Sequence, residues 1–374
     1  MTTQPQKSTV QPLLEPVRLG ALELRNRVVM APMTRARAHN AELAPTDLHA
    51  TYYAQRAGAG LIVTEGTWVN DTAIGYINVP GIYTDAQTAG WAKVTRAVHE
   101  AGGRIVSQLG HVGSVTHPDH LGGRLPAGPS AVNPGEKSFT PTGMKDTVTP
   151  RSFTAAEIAD TIAAYRHAAG NARRAGFDGL EIHAQGAHLI PQFLNPRLNQ
   201  RTDAYGGSGE KRAQFLLDVL DAVSGVWGSD RVGVKLSPYW TGGAFTADEE
   251  TLADYDRLLK KLNDGNLAYL HLLGTAEAAT GGAEERFAPF ARYRTHYQGH
   301  IIANLGFTQA TGDEILAHRI VDAVSFGAPF IANPDLVERF ARGYPLAEGD
   351  RDTYYAGHTE GYTDYPVATA TGRE

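Results

Sequence analysis

Thr34, Gln108 and Lys235 are a donor set suited to a flat heterocycle with carbonyl and ring-nitrogen acceptors, the cation stabilising negative charge on the ring. Taken singly, each type is common in turns and on surfaces. Lys235, however, lies inside the apolar run 232–236, where an unpaired charge would be costly. His183 and His188 form a second group, flanking the end of another apolar run, with Gln185 between them. His183 can hydrogen-bond an anionic or carbonyl substrate, and His188 can move protons near neutral pH. The nearby carboxylates complete no ligand set, so no metal is expected. Gly306 and Gly327 follow two further runs, where backbone N–H groups can approach an anion closely. One such glycine would be read as a simple turn. Two on adjacent strands favour a phosphate group.

These residues need a scaffold that collects strand ends. Eight short apolar runs supply one, at 28–30, 60–64, 104–109, 179–183, 232–236, 268–273, 300–304 and 323–326. Nearly continuous apolar runs read as parallel strands buried on both faces. Helical patterns follow them, with capping boxes expected at Thr84–Gln87, Thr154–Glu157 and Thr246–Glu249. The helix after Thr154 carries Ile158, Ile162 and Tyr165 on one stripe. Eight strand–helix repeats in one chain predict an α/β fold, a single (βα)8 TIM barrel with its chemistry at the C-terminal strand ends. Those ends hold Pro32-Met33-Thr34, Glu65-Gly66, Gln108, His183 to His188, Ser237-Pro238-Tyr239, Asn304-Leu305-Gly306 and Gly327-Ala328. The expected division is a flexible segment at 1–13, a barrel domain at 14–366 and a flexible tail at 367–374. A Gly/Pro-rich insertion follows the third strand at 110–151, and a C-terminal extension begins at Pro345.

Composition removes several classes. With 374 residues, 42% of them hydrophobic, the chain can bury a large core. A net charge of -6 gives no footprint for nucleic acid. No apolar run is long enough to span a membrane, and the first ten residues are polar rather than signal-like. The absence of cysteine excludes disulfides, thiolate metal sites and Cys nucleophiles. A cytoplasmic protein is expected, as a monomer or a homo-oligomer.

The motifs resemble those of the Old Yellow Enzyme family of FMN-dependent ene-reductases, from about Leu14 to Pro366. Matching stretches are Asn26-Arg27-Val28, Ala31-Pro32-Met33-Thr34-Arg35, the run Gly60 to Gly66 and Pro80-Gly81-Ile82-Tyr83-Thr84. Further on come Gln192-Phe193-Leu194-Asn195-Pro196, Arg201 to Ser208, Asn333-Pro334-Asp335-Leu336 and Gly361 to Pro366. The resemblance implies FMN, reduced by NADH or NADPH and reoxidised by hydride delivery to the β-carbon of an activated alkene. It implies that Pro32, Met33, Thr34, Gly66 and Gln108 hold the isoalloxazine and ribityl groups. Lys235, Asn304, Gly306 and Gly327 would complete the cofactor site. His183 would bind the substrate's electron-withdrawing oxygen, helped by Gln185, with Tyr239 and Tyr362 lining the pocket. A hydrogen bond to that oxygen stabilises the enolate-like charge that develops as hydride arrives.

The departures from the family pattern fall on the chemistry. The second substrate-binding His or Asn is Gly186, and the tyrosine that protonates the substrate is His188. A pocket tryptophan is Gly110, which would widen the pocket, and a following arginine is Ser114. On the cofactor side the strand-five arginine is Lys235, a phosphate-turn glycine is Leu305, and the phosphate-pairing arginine is Ala328. Losing one charged hydrogen bond costs roughly 1.5–3 kcal/mol, or one to two decades in FMN affinity. Two readings follow. In the first, the chain is a flavin ene-reductase with His188 as proton donor, active as imidazolium and fading above a pKa of about 6.5. In the second, flavin is not retained, and His183 and His188 perform acid/base isomerisation or cyclisation.

Overall fold

The structure, a computed structural model, describes residues 11–275 and 280–368. Eight parallel strands build the barrel: β1 (Val28–Met30), β2 (Leu61–Val63), β3 (Ile105–Gly110), β4 (Gly179–Ala184), β5 (Val232–Leu236), β6 (Tyr269–Leu273), β7 (Ile301–Asn304) and β8 (Ala323–Phe326). Each pairs with the next, and β8 returns to β1 through Val324 opposite Val28, closing the ring. Every run expected from the sequence is a strand, with ends within one residue of those expected.

Alternation along the strands explains their apolar character. Leu180, Ile182, Val234, Leu270 and Leu272 share one buried cluster with the surrounding helices. Val29, Leu61, Val63, Val106, Tyr269, Ile302 and Ala323 form a second cluster with Leu19, Leu22 and Leu24 of an N-terminal hairpin. These alternate with the first set, so they fill the barrel interior, and the hairpin plugs its lower end. Burying each such side chain contributes about 1.5–3 kcal/mol. Gly233 makes room in this layer, since a Cβ there would come within 2.3 Å of the Tyr269 ring. Higher up the inward positions turn polar: Gln108, Glu181, Lys235, His271 and Ser325 are all buried.

The helices Asp85–Glu100 and Ala155–Arg174 start with the expected capping boxes at Thr84 and Thr154. In the second of these, Ile158 and Tyr165 are buried and Ile162 packs against the same cluster. The third capping box is a correction. The helix Glu249–Leu262 is capped by Asp248, whose carboxylate accepts the Thr251 N–H, while Thr246 donates to Asp248. The nearer carboxylate displaces the hydroxyl as cap, because an anion also suits the positive end of the helix dipole.

Leu13, assigned to a flexible segment from sequence, is fully buried, and its N–H donates to Asp313. At the other end, the Ala368 N–H donates to Asp335. The remainder of both expected flexible ends, residues 1–10 and 369–374, lies outside the described residues. The extension after Pro345 folds back onto the barrel. Arg35 donates to the carbonyls of Tyr354 and Gly361, and Arg37 to that of Thr353. In the insertion, Lys137–Thr140 and Gly143–Asp146 form an antiparallel hairpin.

Candidate active site

A cavity of about 380 Å³ opens at the C-terminal ends of β1 to β4. Pro32 and Thr34 follow β1, Gly66 and Trp68 follow β2, and Gln108 projects from β3. His183, Gln185, Ala187 and His188 close the side at β4. A Cβ on Gly66 would lie 3.4 Å from Gln108 and 3.5 Å from His183, at ordinary contact distance, so Gly66 brings bare backbone between these two side chains.

Beneath the cavity lies a continuous polar chain. Gln108 Nε2 donates to Glu181 Oε1 (2.7 Å), and Glu181 Oε2 accepts from His271 Nδ1 (2.8 Å). His271 Nε2 lies 3.0 Å from Lys235 Nζ and 2.7 Å from Ser325 Oγ. Lys235 Nζ also donates to Asn304 Oδ1 (3.2 Å). Strand register dictates this sequence of neighbours, because Glu181 sits beside Gln108 and Lys235 beside His271. Burial pushes the Glu181 carboxyl up, but His271, Lys235 and Gln108 together hold it below its usual range. Burial brings the Lys235 ammonium down to about 8, with Glu181 opposing the fall. Burial, reinforced by Lys235, lowers His271 to about 4, so it is neutral near pH 7. With Nδ1–H directed at the carboxylate, its Nε2 is an acceptor and receives the lysine. The lone lysine noticed in the sequence is thus a paired one.

The imidazoles of His183 and His188 stack, with centroids 4.0 Å apart and planes 13° from parallel. His183 Nδ1 accepts the Gln185 N–H at 3.5 Å, which leaves the Nε2 edge to carry the proton. Burial, His188 and Lys235 hold His183 well below its ordinary range, and burial lowers His188 to about 4. This corrects the sequence expectation of a donor that titrates near 6.5. Burial disfavours imidazolium by stripping it of water. His188 Nδ1 and Gln185 Oε1 are buried with no partner, and both belong to residues that line the cavity. Tyr76 lies 6.3 Å from His188 and itself stacks on Trp68.

The anion end is mixed. After β7, Leu305 (φ 97°) and Gly306 (φ 73°) both take positive φ, so the turn keeps a shape suited to glycine at a leucine. Arg286 donates to the Gly306 and Gly281 carbonyls (2.9 and 2.8 Å), which sets a cation beside this turn. Gly327 precedes the short helix Ala328–Ala332, with Met33 against it. Ala328 is exposed.

Two residues assigned to the substrate pocket do not line this cavity. Tyr362 is fully buried, stacked on Tyr52 at 4.0 Å with Arg35 and Arg37 over its ring. Tyr239 packs beside Tyr293, its centroid 5.9 Å away. Ser114 is buried away from the lining, and Gly110 packs behind His183, where a Cβ would lie 3.5 Å from the His183 Cβ. Instead the insertion contributes Glu136 and Lys137, the tail Tyr355, and the loop after β5 Trp240. Glu181 and His271 were missed as well. Their signal was the one that exposed Lys235, an ionisable residue within an apolar strand.

Flavin fits the half of this site nearer β1 to β4. Bare backbone at Gly66, donors from Thr34 and Gln108, and a cation in the floor suit a polar ring, while the positive-φ turn suits its phosphate end. Fold and site together define a (βα)8-barrel oxidoreductase. The profile of the NADH:flavin oxidoreductase / NADH oxidase family matches residues 12–347. The chain belongs to that family, the Old Yellow Enzyme family. It is 37% identical to flavin oxidoreductase hxnT of Emericella nidulans, covering 96% of this chain and 99% of that one. It is 38% identical to 12-oxophytodienoate reductase 1 of Oryza sativa subsp. japonica, over 95% and 93% of the two chains. Among solved structures, morphinone reductase in complex with tetrahydroNAD is 43% identical, with a TM-score of 0.89 over 97% and 99% of the chains.

Proposed function

We propose that this protein is an FMN-dependent ene-reductase that draws on NADH or NADPH and acts on an activated alkene, such as an α,β-unsaturated carbonyl compound. The observation that carries this reading is the cavity itself, where Thr34, Gly66 and Gln108 face the His183–His188 pair above a buried lysine. The chemistry that FMN supplies when bound is hydride transfer from the nicotinamide to the alkene. Pro32, Met33, Thr34, Gly66, Gln108 and Lys235 hold its ring side, and Asn304, Gly306 and Gly327 its ribityl phosphate side.

The residues of the chain do the rest. His183 presents Nε2–H to the substrate's electron-withdrawing oxygen, a donor directed at the place where negative charge develops. Gln185 assists from the rim of the cavity. His188 delivers the proton to the α-carbon as imidazolium. With its pKa at about 4, roughly one molecule in a thousand carries that proton at pH 7, but it is a stronger acid than a phenol. The flavin-free alternative fits less well. It gives the donors Thr34 and Gln108, which share the cavity with the histidines, no ring to meet.

The visible spectrum of the purified protein tests the reading. Flavin absorption is expected, with NAD(P)H-dependent reduction of 2-cyclohexenone that falls sharply in His183→Ala. A colourless chain that takes up no added FMN refutes the proposal.

A further inference from the structure

We propose that Lys235, held by a Glu181–His271 relay on one side and by Asn304 on another, is a switchable cation answering negative charge on the bound flavin ring, and that Glu181 and His271 are positioning residues that set its protonation. This rests on the flavin reading above. An arginine here would be a permanent charge, because guanidinium does not deprotonate in proteins. A lysine does so readily once buried, and Lys235 is only 2% exposed.

The geometry makes the relay directional. Glu181 fixes the proton of His271 on Nδ1, which leaves the Nε2 lone pair to be shared by Lys235 Nζ at 3.0 Å and Ser325 Oγ at 2.7 Å. Asn304 Oδ1 accepts a second lysine proton at 3.2 Å. Two of the three ammonium protons are therefore oriented, and the third remains for a further acceptor. The ionisable groups facing Lys235 are Glu181 and His183 on β4 and His271 on β6. Asn304, its other hydrogen-bond partner, does not ionise. Glu181 is held below the ordinary carboxylate range and both histidines below the ordinary imidazole range. Lys235 alone of this set titrates between pH 7 and 9.5.

The consequence is a proton count. Two-electron reduction of flavin takes one proton onto the ring and leaves one negative charge there. Where Lys235 is already an ammonium, no more is needed. Where it is neutral, the new anion draws a second proton from solvent onto Nζ, so uptake rises to two protons for two electrons.

The test is the midpoint potential of the holoenzyme measured from pH 7 to 9.5 in wild type, Lys235→Arg and Glu181→Gln. In wild type the slope of potential against pH is expected to double above about pH 8, following the lysine. In Lys235→Arg it stays at one proton throughout. In Glu181→Gln the break moves to lower pH, because the carboxylate that supports the ammonium is gone. A purely structural role for Glu181 would not move it. A yellow wild type with an unbroken slope overturns the inference and leaves the flavin reading standing, as does a break that survives in Lys235→Arg. A chain that binds no FMN overturns both. If Glu181→Gln does not fold, wild type against Lys235→Arg still decides whether Lys235 switches.

Discussion

Ala328→Arg is expected to tighten FMN binding by about tenfold. Ala328 opens the helix Ala328–Ala332 directly after Gly327 and is exposed, so an arginine there has solvent to occupy and no core to displace. A charge-assisted hydrogen bond contributes roughly 1.5–3 kcal/mol, or ten- to a hundredfold in affinity. Ordering a long side chain opposes part of that, and Arg286 already stands at the Gly306 turn. The lower end of the range is therefore the expected one. Titration of the apoprotein with FMN, followed by quenching of flavin fluorescence, reads the change directly. Riboflavin is the control. It offers the same ring without the phosphate, so its affinity should not move, and the gain for FMN should shrink as salt rises. An unchanged FMN affinity, or an equal gain for riboflavin, would refute the placing of the phosphate beside Gly327.

Other predictions concern the histidines and the strained turn. If His188 is the acid, single-turnover substrate reduction should quicken by about tenfold for each unit that pH falls from 7.5 to 5, because imidazolium is the minor form throughout. His188→Phe should flatten that dependence, and an unaltered slope would exclude the role. Leu305→Gly removes a leucine from positive φ, relieving roughly 1–2 kcal/mol of strain against roughly 0.5–1 kcal/mol of lost backbone restriction. A small rise in melting temperature is the expected result, and a clear fall would show that the leucine side chain contributes more than its conformation costs. Finally, acid should destabilise the fold. His49, His111, His188 and His271 have folded pKa values lowered to about 4, 3, 4 and 4, below the unfolded value. The unfolded chain then binds more protons, so their stability is present above about pH 6.5 and is lost as pH falls towards 4. Glu65, pushed up to about 7 by burial, works in the opposite direction, as do Glu136 and Asp313, but the lowered histidines, with His120 and His183 among them, outnumber these. A melting temperature that is flat between pH 7 and 4.5 would contradict this.

The barrel was legible because buried parallel strands leave continuous apolar runs, and all eight did so. The ring side of the site was legible for a related reason. Thr34, Gly66, Gln108 and His183 stand at or just past strand ends, and a closed barrel brings strand ends together. Residues from outside that frame were not legible. Glu136, Lys137 and Tyr355 reach the cavity by the folding of an insertion and a tail, which strand periodicity does not describe. Tyr362 was assigned by its place in a motif, but direction decides contact, and its ring turns onto Tyr52. The stack of His183 on His188 depends on the turn between them, so the lowered pKa values could not be read from residue types.

The departures from the family pattern share a direction. Where the resemblance implies two arginines at the cofactor, this chain has a buried lysine and an exposed alanine. Where it implies a phenol as proton donor, it has an enclosed imidazole. Fixed charge is removed at both cofactor positions, and beneath the ring what remains is titratable. The buried floor makes this tolerable. Glu181 keeps Lys235 cationic to about pH 8 in a layer where a lone ammonium would fall further, and His271 stays neutral between them. A paired lysine of this kind supplies the charge of an arginine at neutral pH without its permanence. The two ends of the site therefore ask for different tests. Loss at the phosphate end should appear as affinity, while substitution beneath the ring should appear as a dependence on pH.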